Sequence, residues 1–191
     1  MVEAPPPTGL PGYAELHCLS SFSFQRGASQ PAELVERAAE LGYEALAITD
    51  ECSLAGIVRA HQAAQLDGVR GRIRLIVGAE FRFMDGLHLV LLAPNRPAYE
   101  QLSALITRGR RAAAKGDYRL TREDAAELCP DCLALWPAQV DADLADAQWL
   151  HRSFREAWIA IELHRQANDS AKLHRLQDLA ASAGLRCVAS G

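Results

Sequence analysis

The sequence predicts an α/β fold built on a parallel sheet, either a barrel or a doubly wound sheet. Short apolar runs alternate with helix-patterned segments about seven times along the chain. One of them, residues 45–49 (ALAIT), is a continuous apolar run, as a strand covered on both faces requires. Polar residues also collect where strands end, and in parallel β/α folds the carboxyl ends of strands carry the chemistry.

Taken in order, residues 1–12 (MVEAPPPTGLPG) read as a flexible lead-in, with one domain expected over 13–191. Residues 14–18 form the first strand. Ser29 is placed to cap a helix, Pro31 suits its first turn, and the helix runs to Leu41 and Gly42. Residues 45–49 are the second strand and 54–66 the second helix. A third strand starts at 73–77 and continues through 79–83. Met84, Asp85 and Gly86 supply a turn into the fourth, 87–93. A long helix covers 97–115. A short one covers 121–128, with Thr121 as its cap and Asp124 at the third helical position. A strand at 132–136 leads to a helix at 144–155, whose core stripe is Leu144, Ala147, Leu150 and Phe154. A strand at 158–163, a helix at 168–183 stopped by Gly184, and a last strand at 185–189 complete the pattern. The chain stops at Gly191, so a barrel is expected to lack the helix that covers its seam.

The 191 residues suit one domain. Hydrophobic residues at 49% and charged residues at 23% exclude wholesale disorder. Lys and Arg number 20 against 24 Asp and Glu, so no overall positive field advertises nucleic acid. No apolar run approaches the roughly 18–20 residues of a membrane span. The Pro/Gly-rich start lacks the pattern of a secretory signal. A cytoplasmic address with no membrane partner is therefore expected. Five cysteines, an odd number, argue against a disulfide framework. Cys129 and Cys132 form a C-x-x-C without the second pair of a zinc ribbon and read as a turn. Arg108, Arg110, Arg111 and Lys115 close the long helix, where positive charge suits the helix dipole; a DNA-backbone contact is the other reading.

The polar strand ends are specific. The first strand runs Glu15-Leu16-His17-Cys18-Leu19-Ser20, and the second ends Thr49-Asp50-Glu51-Cys52. The third carries Glu80, the fourth begins Leu87-His88, and the sixth ends Glu162-Leu163-His164. Imidazoles and carboxylates converging on one barrel mouth suit a divalent metal. His88 lies near the start of its strand, so convergence at carboxyl ends does not account for it. Asp50 has a plainer reading as the cap of the following helix.

Segments 13–29 (YAELHCLSSFSFQRGAS), 45–51 (ALAITDE), 75–81 (LIVGAEF), 88–95 (HLVLLAPN) and 99–111 (YEQLSALITRGRR) occur in a fixed order and spacing. Together they resemble the N-terminal polymerase-and-histidinol-phosphatase (PHP) domain of bacterial C-family DNA polymerases. The details, LHCLS followed by AITDECSLAG, are similar to the error-prone branch. The resemblance implies a distorted seven-stranded parallel β/α (TIM-like) barrel, here incomplete at its C-terminal end. It implies that 13–191 is the N-terminal portion of a longer nucleotidyltransferase serving replication, repair and damage-induced translesion synthesis. The implied partners are the remainder of the polymerase chain, DNA through the full-length protein, and accessory translesion proteins.

The resemblance also implies a ligand set, carried over residue by residue. His17 matches the first histidine of the first motif, Glu80 the bridging glutamate and His88 the third-motif histidine. Glu51 replaces the second-motif histidine. Leu19 stands at a histidine position and has no lone pair to offer. Arg26 stands where relatives place an acidic or histidine ligand and would repel a cation. The expected metal residues are therefore His17, Glu51, Glu80 and His88. They should hold at most one divalent ion (Zn, Mn or Mg), weakly, or none. The expectation is a scaffold that has lost its chemistry, with a metal-dependent phosphoesterase or nuclease as the alternative.

Overall fold

Seven strands make one sheet, laid out in chain order. They are β1 (Ala14–Cys18), β2 (Ala45–Ile48), β3 (Arg74–Arg82), β4 (His88–Ala93), β5 (Leu133–Trp136), β6 (Glu156–Ile161) and β7 (Arg186–Ala189). The helices are α1 (Pro31–Glu40), α2 (Ile57–Ala64), α3 (Arg96–Arg111), α4 (Arg122–Leu128), α5 (Leu144–Ser153) and α6 (Asp169–Ala183). The computed structural model describes residues 12–191, so the expected lead-in, Gly12 apart, lies outside the described residues. The sheet curls into an incomplete half-barrel with helices on its outer side. Among the described residues no backbone ladder joins β7 to β1.

The expected parallel sheet needs one correction. β4 runs antiparallel to both β3 and β5. A parallel crossover takes a dozen or more residues, usually a helix. Between β3 and β4 there is only a tight turn, with Gly86 at φ 90°, so the two strands must form a hairpin.

Two-residue alternation sorts the side chains. Inward-facing Ala47, Val90, Leu92, Leu135 and Ala160 fill the barrel interior. Outward-facing Leu46 and Ile48 pack with Val35, Ala38 and Ala60 of α1 and α2. Outward-facing Leu89, Leu91 and Ile159 pack with Leu102, Leu105, Leu150 and Leu176 of α3, α5 and α6. Cys129 and Cys132 are both buried in this second layer as free thiols.

Helix ends follow local chemistry, with some shifts from the expected bounds. Pro31 is the first residue of α1, so the cap is Gln30 rather than Ser29, and the Glu33 carboxylate accepts the Gln30 N–H at 2.7 Å. The Ser29 carbonyl instead accepts the Ser21 N–H at 2.8 Å and closes the loop after β1. Helix α2 starts at Ile57 rather than 54, and α3 covers Arg96–Arg111 rather than 97–115, capped by Asn95 at 3.0 Å. Thr121 and Asp124 form the expected reciprocal cap of α4, and Gly184 ends α6 at φ 71°. No described helix is long and apolar enough to cross a membrane.

Candidate functional site

The polar mouth grows out of the same alternation that builds the interior. On β3 the inward stripe passes from Ile76 and Gly78 to Glu80. On β6 it passes from Trp158 and Ala160 to Glu162, just beyond the strand. On β4 it starts at His88 and continues to Val90 and Leu92. Because β4 is reversed, its first residue lies at the same end of the barrel as the last residues of its parallel neighbours; His88 pairs with Arg82 and Val90 with Glu80. β1 contributes through a register shift between Glu15 and Cys18. That bulge leaves Leu16 lining the interior and lets His17 reach the mouth.

Glu80 is fully buried and is the hub. Its Oε2 meets His17 Nε2 at 2.8 Å and His88 Nε2 at 3.2 Å. The other ring nitrogen of His17, Nδ1, meets Glu162 Oε1 at 2.6 Å. Both imidazole nitrogens of His17 therefore face carboxylates, and an imidazole satisfies both only as the imidazolium. Burial alone would lower the His17 pKa. Hydrogen bonds to Glu162 and Glu80 outweigh it and hold the value raised to about 9. Burial likewise pushes Glu80 and Glu162 upward, but their hydrogen bonds win and hold both well below the usual carboxylate range.

Arg26 enters from the loop between β1 and α1. Its Nη1 donates to Glu51 Oε2 at 2.8 Å and also to Glu80 Oε1, while Nη2 lies 3.4 Å from Glu80 Oε2. Glu51 is bridged to Glu80 through the backbone beyond the end of β2. Its second oxygen accepts the Tyr118 hydroxyl at 2.9 Å. Arg110 stacks on Tyr118 and donates to the carbonyls of Glu51 and Cys52, which holds the Glu51 turn in place. Arg108 is paired with Asp124 and Glu127. These two arginines at the end of α3 are thus committed to the protein itself.

Asp50 does not cap α2, whose cap is Gly56. Buried beneath the loop after β1, it accepts the Ser20 N–H at 2.8 Å and the hydroxyls of Ser20 and Ser23, each at 2.7 Å. That clamp fixes the loop from which Arg26 reaches the mouth.

Of the residues expected at a metal, His17, Glu80 and His88 come together, each offering a ligand atom within 4.8 Å of the others. Glu51 is near but lies across the Arg26 guanidinium. Glu162 is a strand-end carboxylate that lies outside the expected ligand set. The two-residue period Trp158, Ala160, Glu162 is the signal that places it inward. No sequence signal marks Tyr118, which arrives from a loop 67 residues from Glu51.

The sequence model of the PHP domain family matches residues 15–173. The chain belongs to the PHP domain family. This PHP domain is 57% identical over 180 residues to the error-prone DNA polymerase of Pseudomonas paraeruginosa, covering 94% of the chain and 17% of that protein. It is 54% identical over 185 residues to the error-prone DNA polymerase of Aromatoleum aromaticum, covering 93% and 17%. The chain thus spans about one sixth of the length of these curated relatives. Two solved structures share its fold. One, from Bifidobacterium adolescentis and described as a metal-dependent phosphoesterase, superposes with a TM-score of 0.66 at 16% identity, covering 94% of this chain and 86% of that one. The other, an amidohydrolase from Chromobacterium violaceum with bound sulfate and no metal, gives 0.65 at 19% identity, covering 94% and 87%.

A metal-binding PHP domain would need free donors, and here the donors are occupied. His17 uses both nitrogens and Glu80 both oxygens, and a guanidinium sits on the bridging carboxylate. Ligands sharing a tetrahedral ion at ~2.1 Å lie roughly 3.4 Å apart. His17 and Glu80 are at 2.8 Å, a hydrogen-bonding distance rather than a coordinating one. Leu19 adds no donor. These residues do not fit a cluster of several metals.

Proposed function

We propose that this chain is the PHP module, over residues 13–191, of an error-prone C-family DNA polymerase, and that its barrel mouth is structural rather than hydrolytic. The observation that carries the second half is the Arg26 guanidinium inserted between Glu51 and Glu80. A fixed positive charge there takes the place that hydrolytic metal chemistry requires for a Lewis acid. The mouth then works as a closed network. Positive Arg26 and His17 neutralise Glu80, Glu51 and Glu162 and tie together loops and strands from both ends of the sequence. Identity of 50% or more with error-prone polymerases over nearly the whole chain supports the first half. In that reading the complete protein performs DNA-directed synthesis past damaged template positions in the cytoplasm. The rest of the polymerase chain, DNA and accessory translesion proteins are its partners, and this module adds no chemistry of its own.

One observation favours the alternative of a metal-dependent phosphoesterase: His17, Glu80 and His88 alone number enough for one catalytic zinc. The test separates the two. The isolated chain, incubated with Mn²⁺ or Zn²⁺ and a phosphodiester substrate, should show no metal-dependent turnover. Turnover that disappears in a His17→Ala, Glu80→Ala variant would establish the phosphoesterase instead. Primer extension across an abasic template by the complete gene product tests the polymerase half.

A further inference from the structure

We propose that Arg26 is the resident cation of the barrel mouth, and that Arg26 and a divalent ion exclude one another at Glu80. The inference rests on the structural reading of the mouth given above and concerns what keeps it free of metal.

Three features of the geometry support it. First, Arg26 is partly exposed, with 31% of its side chain accessible, but its guanidinium is directed at the acids of the mouth. It reaches inward from a loop clamped by Asp50, and one guanidinium nitrogen serves both Glu51 and the fully buried Glu80. A charged carboxylate at zero exposure is strongly disfavoured unless paired; His17 pairs with its Oε2, and Arg26 is the cation on its Oε1. Second, His17, Glu80 and His88 already place three ligand atoms of the right chemistry within 4.8 Å. Without the guanidinium, an ion shared by Glu80 and both imidazoles would displace only the Nε2 proton of His17, whose Nδ1–H stays on Glu162. The remaining coordination position would be open to water, as in a mononuclear site. Third, with Arg26 in place, an incoming dication meets a positive charge one hydrogen bond away from its bridging ligand. The side chain thus satisfies the acid and blocks the ion at once. A single change at residue 26 should therefore unmask a metal site without adding any ligand.

The experiment titrates Co²⁺ into the wild-type chain and into Arg26→Ala, Arg26→Gln, Arg26→Lys and Arg26→Gln/His88→Gln variants. Visible absorption reports coordination, and thermal unfolding with Zn²⁺ serves as a second readout. Arg26→Ala and Arg26→Gln should each bind one ion, on the order of 100-fold or more tighter than wild type. Their melting temperatures should rise with Zn²⁺ while that of the wild type does not. Arg26→Gln keeps a polar, uncharged side chain with hydrogen-bond donors at this position, so it carries the test where Arg26→Ala does not fold. Arg26→Lys, which retains the charge, should behave as wild type, and adding His88→Gln should abolish the new site. Folded Arg26→Gln that binds no tighter than wild type overturns the inference and leaves the non-hydrolytic reading intact. Wild-type binding as tight as the variant's also overturns it. Only metal-dependent hydrolysis by the wild-type chain would overturn the reading beneath it.

Discussion

Raising the pH should weaken this protein well before its thiols ionise, because His17 is held as a cation by Glu162 and Glu80. Its proton affinity rises from an ordinary value of 6.5 in the unfolded chain to about 9 in the fold. A group raised in this way stabilises fully below the unfolded value, and the contribution fades as pH climbs through the folded one. At about 1.4 kcal/mol per tenfold, the full contribution is about 3 kcal/mol, of which about 1 kcal/mol remains at pH 8.5. Between pH 6 and pH 8.5 the chain should therefore lose about 2 kcal/mol. With a urea slope of about 2 kcal/mol per molar, the unfolding midpoint falls by about 1 M. The window stops at pH 8.5 for a reason. Burial pushes Cys52 up to about 11 and Cys18 up to about 12, so both thiols also withdraw stability once the unfolded chain ionises near 9. Urea unfolding of wild type and His17→Gln at pH 6, 7 and 8.5 is the assay. The variant is destabilised at pH 6 and its midpoint should stay nearly flat. Parallel slopes for the two proteins would show that His17 is not held protonated, and the charge balance described for the mouth would fail with it.

Two further substitutions probe the support beneath the mouth. Asp50→Ala removes a buried carboxylate that accepts three hydrogen bonds from Ser20 and Ser23. It should cost at least about 3 kcal/mol in chemical denaturation, with a smaller loss for Asp50→Asn. Gly78→Ala would place a Cβ 2.6 Å from Leu92 Cδ2 and 3.0 Å from the Leu91 carbonyl, so a thermal scan should show a loss of about 1–3 kcal/mol from overpacking between β3 and β4.

Much of the fold was legible because strands and helices here are written in local chemistry. The ALAI run of β2 is apolar on both faces because both faces are covered, and Thr121 with Asp124 states the start of α4 outright. The direction of β4 was legible only in part. The turn at Met84–Gly86 is readable, but the alternating rhythm elsewhere points to a uniformly parallel sheet, and only the shortness of that connection decides otherwise. This one reversal also explains His88, which strand-end convergence left unexplained. At the mouth, a positive charge at residue 26 was visible as an obstacle to metal. Its partners were not, since Glu51 and Glu80 lie 25 and 54 residues away and meet it only through the curl of the sheet. Glu162 carried a readable period, whereas Tyr118 is placed by packing that no pattern encodes.

The hairpin at β3 and β4 has a consequence for how the mouth is assembled. Glu80 and His88 are eight residues apart, so their approach needs only a short loop closure and forms on the timescale of a hairpin. His17 must arrive from 63 residues before Glu80, and its other nitrogen waits for Glu162, 145 residues further along the chain. One imidazole therefore records two very different stages of folding. Its Nε2 partner becomes available once the first half of the sheet is in register. Its Nδ1 partner arrives only when the second half has wrapped round to meet β1. Among the described side-chain hydrogen bonds only those of Ser190 and Gly191 to Glu15 span more of the chain than His17–Glu162, so the mouth is complete only when the ends of the sequence have met.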